Sequence, residues 1–262
     1  DCGNGIRTYD GETNIYANTL TDNDVGIAFV DSSGTAHSNL VSANDIGISV
    51  SGGITDFITT EISTTPDVLH NTVVNNTTAG ITVVEGTGSM GDKSEVYLVA
   101  GNIVSGSETG VWVGLDTASV MNNNSIGNTT DYLLGAAGDM ELDASNISED
   151  PLFTDVDGGD HSLQAGSPCI DAGWDTEFTG TDYDGADRIV DGDGDDVALA
   201  DMGAFEFSDY CPDSDADGYQ DDCGQEGDVD CDDADASVNP GATETWYDGI
   251  DQDCDGNDDD QD

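Results

Sequence analysis

The stretch Asn44-Asp45-Ile46-Gly47-Ile48-Ser49-Val50 decides the reading of this chain, because its pattern recurs. Asn23-Asp24-Val25-Gly26-Ile27 precedes it. Thr78-Ala79-Gly80-Ile81-Thr82-Val83-Val84 and Thr109-Gly110-Val111-Trp112-Val113 follow. Each phrase is a short polar turn, then Gly, then a β-branched run. The glycines fall at 26, 47, 80 and 110, so the spacings are 21, 33 and 30 residues. Such spacings suit turns of unequal length carrying insertions rather than a strict repeat. Between the phrases lie short runs such as Asn71-Thr72-Val73-Val74-Asn75 and Val96-Tyr97-Leu98-Val99. They read as strands of three to five residues bounded by Asn, Gly and Ser. No window shows the 3.6-residue stripe of an amphipathic helix.

Asn and Gly tolerate left-handed backbone geometry, which tight corners between short strands require. Asn side chains can also stack from one turn of the coil to the next. Inward-facing Val, Ile, Leu and Ala then make a narrow continuous core. This organisation resembles the right-handed parallel β-helix families. The predicted fold class is therefore all-β, with β-helix rungs over residues 1–149. A β-sandwich is the competing arrangement, but sandwiches seldom repeat Asn–Gly–Ile phrases in register.

Residues 150–208 contain Asp150-Pro151-Leu152-Phe153, Ser167-Pro168-Cys169-Ile170-Asp171-Ala172-Gly173, Asp184-Gly185, Arg188 and Asp201-Met202-Gly203-Ala204-Phe205-Glu206. This series resembles the closing segment of secreted bacterial β-helix proteins of the choice-of-anchor type. The resemblance implies a structural role, a cap over the open end of the coil, and an extracellular or cell-surface location.

Charge narrows the function classes. The chain has 3 Lys and Arg against 57 Asp and Glu, a formal net charge of -54. It repels nucleic acid and anionic membranes, and no run is apolar enough for membrane insertion. What it attracts is cations. Residues 209–262 hold 21 acids in 54 positions, with no Lys, Arg or His. Halophilic solvation or plain disorder would not set acids at fixed spacing among Cys, Gly, Trp and Tyr.

Calcium takes six to eight oxygens, and a common loop supplies them from positions 1, 3, 5, 9 and 12 with Gly at 6. Three tail windows approach this pattern. Asp213, Asp215, Asp217 and Gly218 fill positions 1, 3, 5 and 6, with Asp221 at 9. Asp233, Asp235 and Ser237 fill 1, 3 and 5, with Glu244 at 12. Asp251, Asp253, Asp255 and Gly256 fill 1, 3, 5 and 6, with Asp259 and Asp262 at 9 and 12. A weaker fourth group is Asp191, Asp193 and Asp195 in the closing segment. Several calcium ions are the expected cofactor. The stretches Asp230-Cys231-Asp232-Asp233, Pro240-Gly241-Ala242-Thr243-Glu244 and Asp248-Gly249-Ile250-Asp251-Gln252-Asp253-Cys254-Asp255-Gly256 resemble the Asp- and Cys-rich metal-binding repeat of myxobacterial surface proteins. They are also similar to thrombospondin type 3 calcium repeats. Relatives often carry a further Cys before the Asp-Gly-Ile step. Trp246-Tyr247 stands there instead, a departure at one position of the disulfide pattern that the resemblance implies.

Six cysteines, four of them in the tail, point to disulfides and an oxidising compartment. Cys211–Cys223 and Cys231–Cys254 is the expected arrangement among the three that four cysteines allow. The abrupt start and stop suggest a processed chain or a portion of a longer one. His37, His70 and His161 are scattered and read as structural. No nucleophile motif, phosphate loop or basic proton abstractor stands out, so no catalytic residue is assigned. The expected role is a calcium-stabilised extracellular structural protein: a filament or surface-layer subunit, or an adhesive stalk. The expected partners are further copies of the chain, in a homopolymer or filament, and cell-surface polysaccharide. A polysaccharide-binding or polysaccharide-cleaving β-helix module is the alternative.

Overall fold

The computed structural model describes residues 2–9, 11–30, 32–51, 65–84, 97–115, 118–135, 140–174, 180–193, 197–208, 215, 219, 230–232 and 234–256. The chain divides into two compact units, Asp1–Ser208 and Asp209–Asp262. The first is built from strands, with no helix among the described residues. Its first rung holds β1 (Cys2–Tyr9), β2 (Glu12–Tyr16) and β3 (Thr19–Thr21), and the second holds β4 (Asn23–Val30), β5 (Ser33–His37) and β6 (Leu40–Ser42). The third holds β7 (Ile46–Ser51), β8 (Asp67–Leu69) and β9 (Thr72–Val74), and the fourth β10 (Ala79–Val84), β11 (Tyr97–Ala100) and β12 (Ile103–Ser105). The fifth holds β13 (Thr109–Val113), β14 (Ala118–Met121) and β15 (Asn124–Ile126), and β16 (Thr130–Leu134) begins a sixth. Three sheets run through the stack in the orders β1-β4-β7-β10-β13-β16, β2-β5-β8-β11-β14 and β3-β6-β9-β12-β15. Every pairing in them is parallel. The fold is a parallel β-helix.

Register explains the core. Ile6, Ile27, Ile48, Ile81 and Val111 stand one above another in the first sheet. Ile15, Ala36, Val68, Val99 and Val120 do so in the second. Leu20, Val41, Val73 and Val104 do so in the third. Most are wholly buried. Each such Val, Leu or Ile contributes about 1.5–3 kcal/mol of burial. The basic step is 21 residues, as in the bonds from Asn18 to Asn39 and from Asn102 to Asn123. The two longer rungs carry their extra residues at one corner, between β7 and β8 and between β10 and β11.

The other two corners are chemically uniform. Each pairs a left-handed residue with a following asparagine, or with Ser107 in one rung. Ala17, Ser38, His70, Gly101 and Asn122 form one left-handed column, and Asp22, Ala43, Asn75, Gly106 and Gly127 the other. The expectation that Asn and Gly supply this geometry holds only in part, since Ala, Ser, His and Asp fill it as well. The Asn after the left-handed residue has a different task. Asn18, Asn39, Asn71, Asn102, Asn123 and Asn146 form a continuous ladder. In each step the backbone N–H and Nδ2–H of one Asn donate to Oδ1 of the next, at 2.9–3.1 Å. Nδ2 also donates to carbonyls within and below its rung, as Asn71 does to Leu69 and Ala36. A second ladder runs through Asn23, Asn44 and Asn76, then resumes at Asn128. Ser107 interrupts it: its N–H donates to Asn128 Oδ1 at 2.8 Å, but its own hydroxyl is buried without a partner.

Gly47 shows why the deciding phrase needs glycine. A Cβ there would stand 2.5 Å from Val73 Cγ1 and 2.6 Å from the Gly80 carbonyl oxygen. The backbone of the first sheet passes directly over the third-sheet core column at this point. Gly26, Gly80 and Gly110 repeat the approach.

Residues 150–208 depart from the expected end cap. The last rung is closed earlier: Asn146 accepts the bonds of Asn123, and Ile147 bridges in parallel to Asn124. The chain then forms the hairpin β17 (Phe153–Asp155) and β18 (Asp160–Leu163) and straps the side of the coil. The reason is apolar residues on the outward side of the rungs. Leu69, Ala100 and Ile103 are 5%, 0% and 1% exposed, and Leu163, Cys169, Ile170 and Met202 pack with Ile103. Polar contacts pin the strap to successive rungs. Tyr183 and Thr19 hydroxyls meet at 2.5 Å, Gly203 N–H donates to Gly101 O at 2.7 Å, and Ala204 N–H donates to Thr72 Oγ1 at 2.9 Å. The ring nitrogens of His70, wholly buried at its left-handed corner, lie 2.9 Å from Asp201 O and 2.7 Å from Trp174 O. Arg188 is buried too. It donates to Gly203 O, Ala204 O and Ser38 Oγ, and pairs with Glu206 at 3.6 Å. Cys169 departs from the expectation of disulfides: it is a buried free thiol, packed in this interface and accepting a bond from Asn124 Nδ2.

Two predictions follow from this architecture. Ser107→Asn should complete the second ladder and raise stability by about 1 kcal/mol, whereas Asn71→Ala should cost about 3 kcal/mol by orphaning several buried groups. Urea unfolding of the two variants beside the parent checks both. The strap should also make stability fall as pH rises. Burial raises Asp201 and Glu206, the latter up to about 9, with Asp201's charge contributing. The folded state thus holds protons that the unfolded chain has released, and stability is lost as pH climbs towards 9. His37 and His70, lowered chiefly by burial to about 4 and about 3, oppose this only below their ordinary value of 6.5. Unfolding free energy should therefore decline from pH 6.5 to 9, and Glu206→Gln should flatten the decline.

Candidate metal centre

The described part of the tail is a succession of Asx turns. Asp230 Oδ1 accepts from Asp232 N–H, Asp235 Oδ1 from Ser237 N–H and Oγ–H, Asp248 Oδ1 from Ile250 N–H, and Asp253 Oδ1 from Asp255 N–H. The Asp-x-x spacing in the sequence builds these turns, because an Asp side chain mimics a backbone carbonyl two residues on. Each turn engages one carboxylate oxygen, and in Asp248 the other is engaged as well, accepting from Gln252 Nε2 at 2.9 Å. Cys231 and Cys254 are joined by a disulfide, with Cα atoms 5.6 Å apart.

Glu244, Asp251 and Asp253 converge, each offering an oxygen within 4.8 Å of the others. Two of them are held by backbone donors of one loop. Gln252 N–H donates to Glu244 Oε2 and Gly256 N–H to Asp251 Oδ2, both at 2.9 Å. Their remaining oxygens, Glu244 Oε1 and Asp251 Oδ1, are buried and have no hydrogen-bond partner. Oδ2 of Asp230, a residue only 1% exposed, is in the same condition. An anionic oxygen removed from water without a donor costs several kcal/mol. A cation relieves that cost, and the gathered charges with it. The donors are carboxylate oxygens throughout, which suits a hard divalent ion.

The structure brings the expected ligands together selectively. Glu244, expected to complete the window of Asp235 and Ser237, instead joins Asp251 and Asp253. Asp235 and Ser237 bond to each other on the surface, and those bonds hold the Asp235 carboxyl below its usual range. Asp255 lies outside the cluster and is exposed, and Asp215 is partly buried. Asp213, Asp217, Asp221, Asp233, Asp259, Asp262 and Asp195 lie outside the described residues, as do Cys211 and Cys223.

In the strap, Asp191 and Asp193 do meet, around Asp171. Sequence reading placed Asp171 only in a structural phrase. Its carboxylate is occupied: Oδ2 accepts from Gly192 N–H and Asp193 N–H, and Oδ1 from Leu199 N–H, at 2.9–3.0 Å. Asp171 clamps the loop ahead of residue 199 and is a structural residue in this geometry.

Residues 230–260 match a family model of copper-binding MopE type, described as "Putative metal-binding motif". No curated protein and no solved structure matches the chain significantly. The match coincides with the stretch that holds the carboxylate cluster and the disulfide. Copper fits this donor set poorly: residues 209–262 contain no His, and Cys231 and Cys254 are bonded to each other rather than free as thiolates.

Opposite effects should separate the two clusters. Asp251→Asn and Glu244→Gln should weaken cation binding by about tenfold or more while stabilising the cation-free tail, since each removes a bare buried charge. Asp171→Asn should leave cation binding unchanged and cost the strap about 2 kcal/mol. Calorimetric titration and unfolding in chelator measure the two quantities.

Proposed function

We propose that the chain is an extracellular structural module whose Asp-rich tail folds around calcium. The observation that carries this reading is the pair of bare buried oxygens, Glu244 Oε1 and Asp251 Oδ1, converging with Asp253. Among its described residues the tail has little apolar core to hold it. Val238 is the hydrophobic side chain it buries among the described residues. Metal-binding free energy then becomes folding free energy. A disulfide is at home in an oxidising compartment, and no helix among the described residues is long and apolar enough to cross a membrane.

The β-helix supplies a rigid, elongatable core, and calcium offsets the repulsion between chains of charge -54. These properties favour a role in a surface filament, layer or stalk over a catalytic one. Within that role, copies of the chain associate with one another.

Calcium titration by calorimetry, with native mass spectrometry to count ions, tests the proposal. Calcium should bind in preference to copper and protect the tail from protease, and chelator should remove that protection. A tail equally resistant in excess chelator, or one that binds copper but not calcium, would overturn it. Electron microscopy of the calcium-loaded protein checks assembly, for which fibres or layers are the expected result.

A further inference from the structure

The loop that holds the carboxylates of the metal centre also carries one half of the disulfide. Cys254 lies between the two backbone donors, Gln252 N–H and Gly256 N–H, that orient Glu244 and Asp251. Asp253, the third carboxylate, is its immediate neighbour. Across the bond, Cys231 N–H donates to Cys254 Sγ at 3.1 Å, and Cys231 Sγ lies 3.5 Å from the Asp251 carbonyl oxygen. Asp230, with its own bare buried oxygen, immediately precedes Cys231. With Val238 as the apolar side chain buried nearby in sequence, the loop is placed by hydrogen bonds and by this covalent link.

We infer that the Cys231–Cys254 disulfide gates the cation site: the oxidised tail binds a hard divalent cation, and the dithiol form releases it. The inference rests on the calcium reading above. Reduction needs a dithiol. One of its thiolates attacks a sulfur of the Cys231–Cys254 bond and expels the other cysteine as a thiolate. Its second thiol then attacks the mixed disulfide, closing a cyclic disulfide and releasing the remaining cysteine. Two electrons and two protons pass to the protein. The loop at 252–256 then loses its tether to residues 230–232, and the carboxylates separate under their own repulsion. Linkage is reciprocal: whatever factor oxidation adds to cation affinity, the cation adds to the stability of the disulfide.

The test uses the whole chain and calcium alone. Affinity is measured by competition with a chromophoric chelator for the oxidised protein, the protein in excess dithiothreitol, and the Cys231→Ser/Cys254→Ser double variant. The reduced protein and the variant should bind at least about tenfold more weakly than the oxidised form. On the parent protein, mass mapping of Cys231 and Cys254 across a thiol–disulfide buffer series gives an independent readout that needs no variant. Calcium should lower their midpoint potential by about 30 mV for each tenfold of coupling. Equal calcium affinity in both redox forms, with no shift in midpoint, overturns the gating and leaves the calcium reading standing. Failure of the oxidised protein to bind calcium at all overturns both.

Discussion

The coil depends on an amide that is never left short of partners. Each ladder asparagine gives its two Nδ2 hydrogens to carbonyls and neighbouring amides, and receives at Oδ1 the N–H groups of the rung beside it. Asn39, Asn71, Asn102 and Asn123 do this with no exposure to water. A buried amide is tolerable only when such bonds are made, so each asparagine requires the next at the constant spacing of adjacent strands. That demand propagates. It holds the rungs in register, brings the first-sheet backbone over the third-sheet side chains where glycine is needed, and stacks like residues in the core.

The strap shows the same logic with charge in place of amides. Arg188 and Glu206 are withdrawn from water together, and three neutral oxygens accept from the guanidinium's terminal nitrogens while its Nε–H is buried without a partner. Removing Glu206 or those oxygens would leave the buried guanidinium shorter of partners, which makes the arrangement specific rather than strongly stabilising. The strap closes over outward-facing Ile103, so the coil has an apolar inside and a partly apolar outside.

That double-sidedness marks the limit of what the residues disclose. The Gly phrase and the Asn–Val–Asn spacing gave the coil, because close backbone approach and amide stacking each tolerate few residue types. The path of residues 150–208 was hidden. In a strand such as Thr72-Val73-Val74, three residues long and buried on both faces, alternation cannot distinguish core from strap side. The left-handed column was hidden too, since Ala17, Ala43 and His70 carry no local signal for it. In the tail, spacing paired Asp251 with Asp253 but set Glu244 in another window, whereas the three meet. The loop template measures distance along the chain, whereas a disulfide and two backbone donors decide which carboxylates meet.

The unequal rungs have a wider consequence. Both insertions enter at the one corner without an asparagine ladder, and the strands on either side keep register with rungs that lack them. Length is therefore free to vary there while the scaffold stays unchanged. Lineages can diversify this edge, and foreign peptides can be grafted onto it, without renegotiating the architecture beneath.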